Sequence, residues 1–159
     1  MEKQYNLLIN GKWRPSDSGE YFDVINPATG KPVAQCAQAG IPETQAALKA
    51  AQKAFEAWRY TPARERCEFM HKAAAIFRNR IDHIAELMTL EHGKPLQDSY
   101  KELRFSADVI DYYAEEARRQ FGSNFEGDAG PTHSFVFKQP IGVVAAITPW
   151  NFPVDLLSW

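Results

Sequence analysis

The sequence predicts an α/β fold, and three observations carry that expectation. Short β-patterned runs joined by turn residues occupy the chain up to Cys36. Helical periodicity then takes over from Pro42 to Gly122. Beyond it, Gly142-Val143-Val144-Ala145-Ala146-Ile147 is apolar on both faces, as expected of a central parallel strand covered by helices.

The first element expected is a strand over Tyr5-Asn6-Leu7-Leu8-Ile9, turned by Asn10-Gly11 into Lys12-Trp13. Asn-Gly between strand-like runs marks a hairpin, because both residues tolerate the positive φ of a type I′ turn. Phe22, Val24 and Ile25 suggest the next strand, Asn26-Pro27-Ala28-Thr29-Gly30 a turn, and Lys31 to Cys36 a returning strand, so the opening reads as a β-meander. Leu48, Ala51, Phe55 and Trp58 then share one helical face. Thr61-Pro62 reads as an N-cap with Pro at the first helical position, leading into an inward face of Cys67, Met70, Ala74, Phe77 and Ile81. After a break near Asp82, Ile84, Leu87 and Met88 continue helically until Gly93 and Pro95 close the segment. The longest helix is expected from about Pro95 to Phe121, with Leu96, Leu103, Ala107, Ile110, Ala114, Ala117 and Phe121 inward and Gly122 as its stop. Ser123 to Thr132 reads as a loop. His133 to Lys138 alternates as a strand with Phe135 and Phe137 on one face, an exposed or inter-subunit ribbon. After the strand 142–147 and the turn that follows it, a helix begins at Val154.

Composition bounds the function classes. A chain of 159 residues with 45% apolar content lies in the globular range. Its net charge of −2, without a block of like charge, points neither to nucleic acid nor to a membrane surface. The longest apolar run is too short to span a bilayer, and Met1-Glu2-Lys3-Gln4 leads straight into strand-like residues without a signal-peptide core. Cys36 and Cys67 show no pairing pattern, which fits two ordinary thiols in a reduced, cytoplasmic setting. His71, His83 and His92 stand isolated on helices and no H-E-x-x-H occurs, so no metal site is expected. No G-x-G-x-x-G occurs, and Gly127-Asp128-Ala129-Gly130 lies in a loop without a preceding strand.

Chemistry concentrates in Thr148-Pro149-Trp150-Asn151-Phe152-Pro153, a proline-bracketed turn at the carboxyl end of the expected parallel strand. Open α/β sheets build ligand sites there. An Asn carboxamide is a neutral, directional donor suited to a developing oxyanion, and Trp150 offers a flat apolar wall. The same residues also suit a purely structural turn, in which Asn151 caps the next helix and Trp150 packs in the core.

Five stretches resemble the amino-terminal part of an NAD(P)-dependent aldehyde dehydrogenase: Asn26-Pro27-Ala28-Thr29-Gly30, the Ala51 to Trp58 helix, Glu91-His92-Gly93-Lys94-Pro95, Gln139-Pro140-Ile141-Gly142-Val143-Val144, and Ile147-Thr148-Pro149-Trp150-Asn151-Phe152-Pro153. The last is close to a signature of that family. The resemblance runs from the first hairpin to Trp159 and covers a minority of a full-length member. It implies an incomplete fold of that type: residues 1–159 as part of the cofactor-binding, Rossmann-like domain, 123–139 including a strand of the oligomerisation ribbon, and the catalytic domain absent. By the same resemblance, Asn151 matches the oxyanion-holding Asn, and Ile147, Thr148, Pro149 and Trp150 match the stretch lining the nicotinamide-ribose side of an NAD or NADP cleft. Phe152, Asp155, Leu156 and Trp159 match substrate-tunnel positions, and their spacing independently puts them on one helical face. A small aldehyde, and a homo-oligomer in the full-length form, are the implied partners.

The family's Cys nucleophile, general-base Glu and cofactor glycines match nothing in this chain, which is therefore expected to be inactive alone. Neither Cys36 nor Cys67 has an activating base or helix N-terminus nearby. A competing expectation is a non-catalytic chain, a truncated remnant or a small helical interaction protein. Similar enzymes that oxidise succinate semialdehyde carry an Arg where this chain has Trp159. With Trp159 apolar and Asp155 negative, a neutral or cationic aldehyde is expected over an anionic one.

Overall fold

In a computed structural model, which describes residues 3–128 and 130–159, five strands, four helices, a two-stranded ribbon and a short terminal helix follow one another. Met1, Glu2 and Ala129 lie outside the described residues, and with them the part of the amino-terminal and loop expectations that falls there.

The Asn-Gly hairpin forms as the pattern demands. β2 (Leu7–Ile9) pairs antiparallel with β3 (Lys12–Arg14) across Asn10 at φ 52° and Gly11 at φ 72°. The opening is not a meander, however. Asn6 breaks the expected strand in two and its carboxamide oxygen accepts the Tyr21 hydroxyl at 2.7 Å. The freed β1 (Lys3–Tyr5) pairs in parallel with β5 (Lys31–Ala37), whose other edge holds β4 (Tyr21–Asn26) antiparallel. The 26–30 turn closes with the Gly30 N–H donating to the Asn26 carbonyl at 2.8 Å.

α1 (Ile41–Trp58) starts on Glu43, whose carboxylate accepts the N–H groups of Gly40 at 2.8 Å and Asp17 at 2.6 Å. Its expected inward face is only partly covered: Leu48 is exposed, Phe55 is half-buried, and Trp58, though largely exposed, meets the Phe69 ring edge-on at 5.8 Å. The next three helices make the core. α2 (Ala63–Arg78) begins one residue later than expected, with Pro62 rather than Thr61 at its N-cap. It buries Cys67 and Ala74. α3 (Ile81–His92) buries Ile81, Ala85 and Met88, which pack with Leu103 of α4 (Leu96–Glu116). α4 is the spine, packed against both α2 and α3. It stops at Glu116 rather than Phe121, because Arg118-Arg119-Gln120 offers a further turn no apolar face to bury, and Phe121 is exposed.

Gly93 ends α3 at φ 73° and donates to the Thr89 carbonyl at 2.9 Å. A Cβ there would come within 2.9 Å of Pro27 Cγ, so the close approach of the 26–30 turn also requires glycine.

α2 and α4 are joined at their edge by charge. The His71 ring lies between Asp111 (Nδ1 at 2.6 Å) and Glu115 (Nε2 at 2.9 Å), and Arg78 reaches Asp108 at 2.7 Å and Asp111 at 2.5 Å. His71 is thus not isolated. Cys67, His71 and Glu115 even bring ligand-type atoms within 4.8 Å of one another, but both imidazole nitrogens are already engaged by carboxylates, the geometry of an ion-pair clamp.

Two expectations near the end of the chain change. β6 (Ser123–Glu126) pairs with β7 (His133–Val136), so the expected loop begins as a strand; its residues are all exposed and leave no burial period to read. Phe135 and Phe137 stack at 6.5 Å, although β7 ends at Val136. The run 142–147 joins no strand among the described residues, and Ile147 is 94% exposed. A strand apolar on both faces needs neighbours on both edges, and none of the described elements supplies them. α5 (Asp155–Ser158) follows. Among the described residues no helix is long and apolar enough to cross a membrane.

With Ile141, Val144, Ile147 and Trp150 all open to solvent, the purified 159-residue chain is expected to self-associate and bind a hydrophobic dye. A sharp cooperative melt of a monomer would contradict this. The clamp also sets a pH dependence. Hydrogen bonds to Glu115 and then Asp111 raise the His71 pKa above its ordinary value. The stabilisation is therefore full below the unfolded-state pKa of about 6.5 and fades as pH rises through the folded value. Hydrogen exchange in α2 and α4 of the full-length protein, corrected for intrinsic rates, should quicken over that alkaline interval, and His71→Gln should remove the effect. An unchanged profile in the variant overturns the assignment.

Candidate active site

The turn 148–154 sits against the start of α4. Gly93 reverses the chain after α3, Lys94 follows it, and Pro95 caps α4. Glu102 then lies on the inward stripe of α4 beside Ser99, Leu103 and Ser106, with its side chain only 1% exposed. A carboxylate this buried needs compensation, and two sources provide it. Lys94 Nζ pairs with Glu102 Oε2. Glu102 Oε1 accepts the backbone N–H groups of Val154 at 3.1 Å and Asp155 at 3.3 Å. The same ammonium donates to the Asn151 carbonyl oxygen at 2.7 Å and sits 4.5 Å from the centre of the Phe152 ring. One ion pair therefore holds the turn at Asn151, Phe152, Val154 and Asp155.

Beside it opens a cleft of about 490 Å³ whose walls include His92, Lys94, Glu102, Trp150, Asn151 and Phe152. Trp150 is 81% exposed, and Asn151 is exposed as well. α5 has Val154 at its N-cap and no side-chain capping bond, and Trp150 packs in no core among the described residues. Ile147 and Pro149 are exposed and Thr148 is half-buried.

The proposed tunnel residues divide. Phe152 lies over Lys94, and Leu156 is exposed. Trp159 packs against Phe105 at 6.2 Å and edge-on to Tyr113 at 6.1 Å, both on α4. Asp155 is half-buried, and its Oδ1 has no hydrogen-bond partner. Burial, then the Glu102 charge, raise its pKa above the ordinary aspartate value. Both thiols are pushed up, Cys36 by burial and Glu91, Cys67 by burial and Glu115, so neither is activated as a nucleophile.

Lys94, Glu102, Phe105 and Tyr113 are the residues that pattern reading missed. One signal was available: Glu102 falls on the apolar stripe next to Leu103, and an acid in such a position calls for a nearby cation.

Comparison with known proteins places these features in context. A sequence profile described as the aldehyde dehydrogenase family matches residues 13–159. The chain is 42% identical over 151 residues to the NADP(+) succinate-semialdehyde dehydrogenase GabD of Escherichia coli, covering 95% of this chain and 31% of that protein. It is 41% identical over 150 residues to a glutarate-semialdehyde dehydrogenase of Pseudomonas putida, covering 94% and 31%. A crystal structure of an NADP-dependent E. coli enzyme superimposes with a TM-score of 0.91 at 40% identity, over 98% of this chain and 32% of the other. The chain thus spans about a third of the length of the curated relatives it matches.

Proposed function

This chain belongs to the aldehyde dehydrogenase family, and on that footing we propose that the full-length protein oxidises an aldehyde to a carboxylate, with NAD or NADP as hydride acceptor. The observation that carries the reading is the Trp150-Asn151 pair, held on a pinned turn yet open to a cleft. A donor that is pre-positioned and not consumed by a structural bond is what oxyanion stabilisation requires.

The roles follow from the residues. The Asn151 carboxamide donates an N–H to the oxygen of the carbonyl under attack as its charge develops. Phe152, Asp155, Leu156 and Trp159 flank the path of the aldehyde. The exposed, uncovered surface of Ile147, Pro149 and Trp150, with Thr148, fits a flat aromatic ring and would hold the nicotinamide-ribose side of the cofactor. When bound, the nicotinamide supplies a hydride acceptor. The thiol nucleophile and general base match no residue of this chain, so the 159 residues alone are proposed to be inactive. We assign 1–159 to the cofactor-binding domain and the β6–β7 ribbon to an oligomer contact, supported by its exposed Phe125 and Phe135. A cytoplasmic setting is supported by the two free thiols. The competing reading, a non-catalytic chain, is tested by whether the coding DNA stays open beyond codon 159.

For the substrate, Asp155 and Trp159 favour a neutral or cationic aldehyde. The second reading, an aldehyde bearing an anionic group, is favoured by the relatives named for succinate and glutarate semialdehydes.

In the full-length protein, Asn151→Ala should lower kcat by roughly 10²- to 10³-fold, the range for losing one oxyanion donor, with cofactor affinity little changed. Intact turnover in steady-state and single-turnover assays would return Asn151 to a structural role. Wild type should show higher kcat/KM for a neutral aldehyde than for succinate semialdehyde. Asp155→Ala combined with Trp159→Arg should shift that ratio toward the anion; about tenfold needs only ~1.4 kcal/mol. If wild type already prefers the anion, or the ratio does not move, the charge argument fails.

A further inference from the structure

We propose that Lys94 and Glu102 are positioning residues for the reaction, holding the backbone of the Asn151 turn so that its carboxamide meets the oxyanion; this rests on the oxyanion reading of Asn151. Three features of the geometry point to it. First, both partners spend their hydrogen-bonding capacity on the turn rather than on each other alone. Glu102 gives one oxygen to Lys94 and the other to the Val154 and Asp155 N–H groups. Lys94 divides its ammonium between Glu102 and the Asn151 carbonyl. Second, the anchors run from the Asn151 carbonyl to the start of α5, so the peptide that follows Asn151 cannot rotate without breaking a charge-assisted bond. Third, the pair is rooted in the core. Glu102 lies on α4 next to Leu103, the residue that α3 packs against, while Lys94 follows the glycine cap of α3. The position of the turn is thereby tied to the α3–α4 packing and not to the exposed run before it.

The consequence is kinetic. Oxyanion donors act only when fixed near the productive geometry, and displacement of about 1 Å can cost on the order of 10²-fold. Neither side chain needs to touch substrate. A pair that served stability alone would change the amount of folded enzyme and leave turnover per folded site intact.

The test is a double-mutant cycle in the full-length enzyme, with active protein quantified for each variant. Glu102→Gln retains an acceptor for the Val154 and Asp155 N–H groups but sets an amide against the Lys94 ammonium. It should lower kcat by about 10- to 100-fold with the KM for cofactor within about twofold. In the Asn151→Ala background the same substitution should cost less than about threefold, because the group it positions is gone. Lys94→Met provides a second route should Glu102→Gln fold poorly, and Lys94→Arg, which keeps the charge, should recover part of its loss. If Glu102→Gln and Lys94→Met keep wild-type kcat per folded site while Asn151→Ala loses activity, the positioning proposal is overturned and the oxyanion reading stands. The proposal is equally overturned if the losses multiply in the double variant, since the pair would then act independently of Asn151. If Asn151→Ala is fully active, both fall, and that measurement alone identifies which failed first.

Discussion

The Lys94–Glu102 pair is the constraint on which the candidate site depends. Removing charges from water is unfavourable, and a buried pair is tolerated only when its remaining donors and acceptors are satisfied. Glu102 meets that condition by accepting two backbone N–H groups from a segment some fifty residues away in sequence. Deleting one partner of such a pair costs about 3–5 kcal/mol because the other is left buried and uncompensated. The requirement to satisfy Glu102 is thus what draws an otherwise open turn onto α4. Function and packing share one physical cause here: the carboxylate must be paired, and the groups that pair it belong to the turn that bears Asn151.

The pair works because α4 is itself immobilised. Ser99, Ser106, Ala107 and Ala114 are fully buried, and such small residues let α2 and α3 approach its axis closely. Along the same helix, Asp108, Asp111 and Glu115 face Arg78 and His71 of α2. α4 therefore carries a charged edge toward α2, an apolar face toward α3, and at Glu102, Phe105 and Tyr113 a third face toward the chain's end. A shift of α4 in its bed would move all three together. The αL cap at Gly93, wedged against Pro27, fixes where that bed begins.

Local rules read correctly wherever local chemistry decides. The Asn10-Gly11 turn, the burial of Cys67 and Ala74 and the stop at Gly93 each follow from φ preference or from a helical period that the core then buries, whereas the break expected near Asp82 falls earlier, at Asn79-Arg80, so that Ile81 opens α3 instead of ending the α2 face. Long-range pairing was not legible in the same way. Residues 5–9 have one strand pattern whichever sheet they join, so nothing local reveals that Asn6 divides them or that β1 runs parallel to β5. Ser123–Glu126 pairs through its backbone with both faces in water, leaving no apolar alternation to detect. For 142–147 the pattern presupposes neighbouring strands, which the described residues do not contain. Of the site, the turn and its Asn151 stood out by residue type, whereas the Lys94–Glu102 clamp is a contact between residues eight apart around a helix start, visible only once Gly93 has turned the chain.

The clamp also bears on the two substrate readings. An ionised Asp155 beside Glu102 would leave the neighbourhood with two negative charges against the single ammonium of Lys94. Burial and that like charge raise the Asp155 pKa, while a hydrogen bond from the Trp159 side chain and the Lys94 charge act the other way without cancelling the rise. Trp159, held between Phe105 and Tyr113, cannot supply a cation in compensation. Besides repulsion by Asp155, the proposed discrimination between neutral and anionic aldehydes rests on an apolar aromatic wall that would leave the anion's carboxylate unpaired on desolvation. A site that buries a charge without a partner rejects it strongly even in the absence of a like charge. Trp159 therefore supports the proposed selectivity by a route that does not depend on the charge of Asp155.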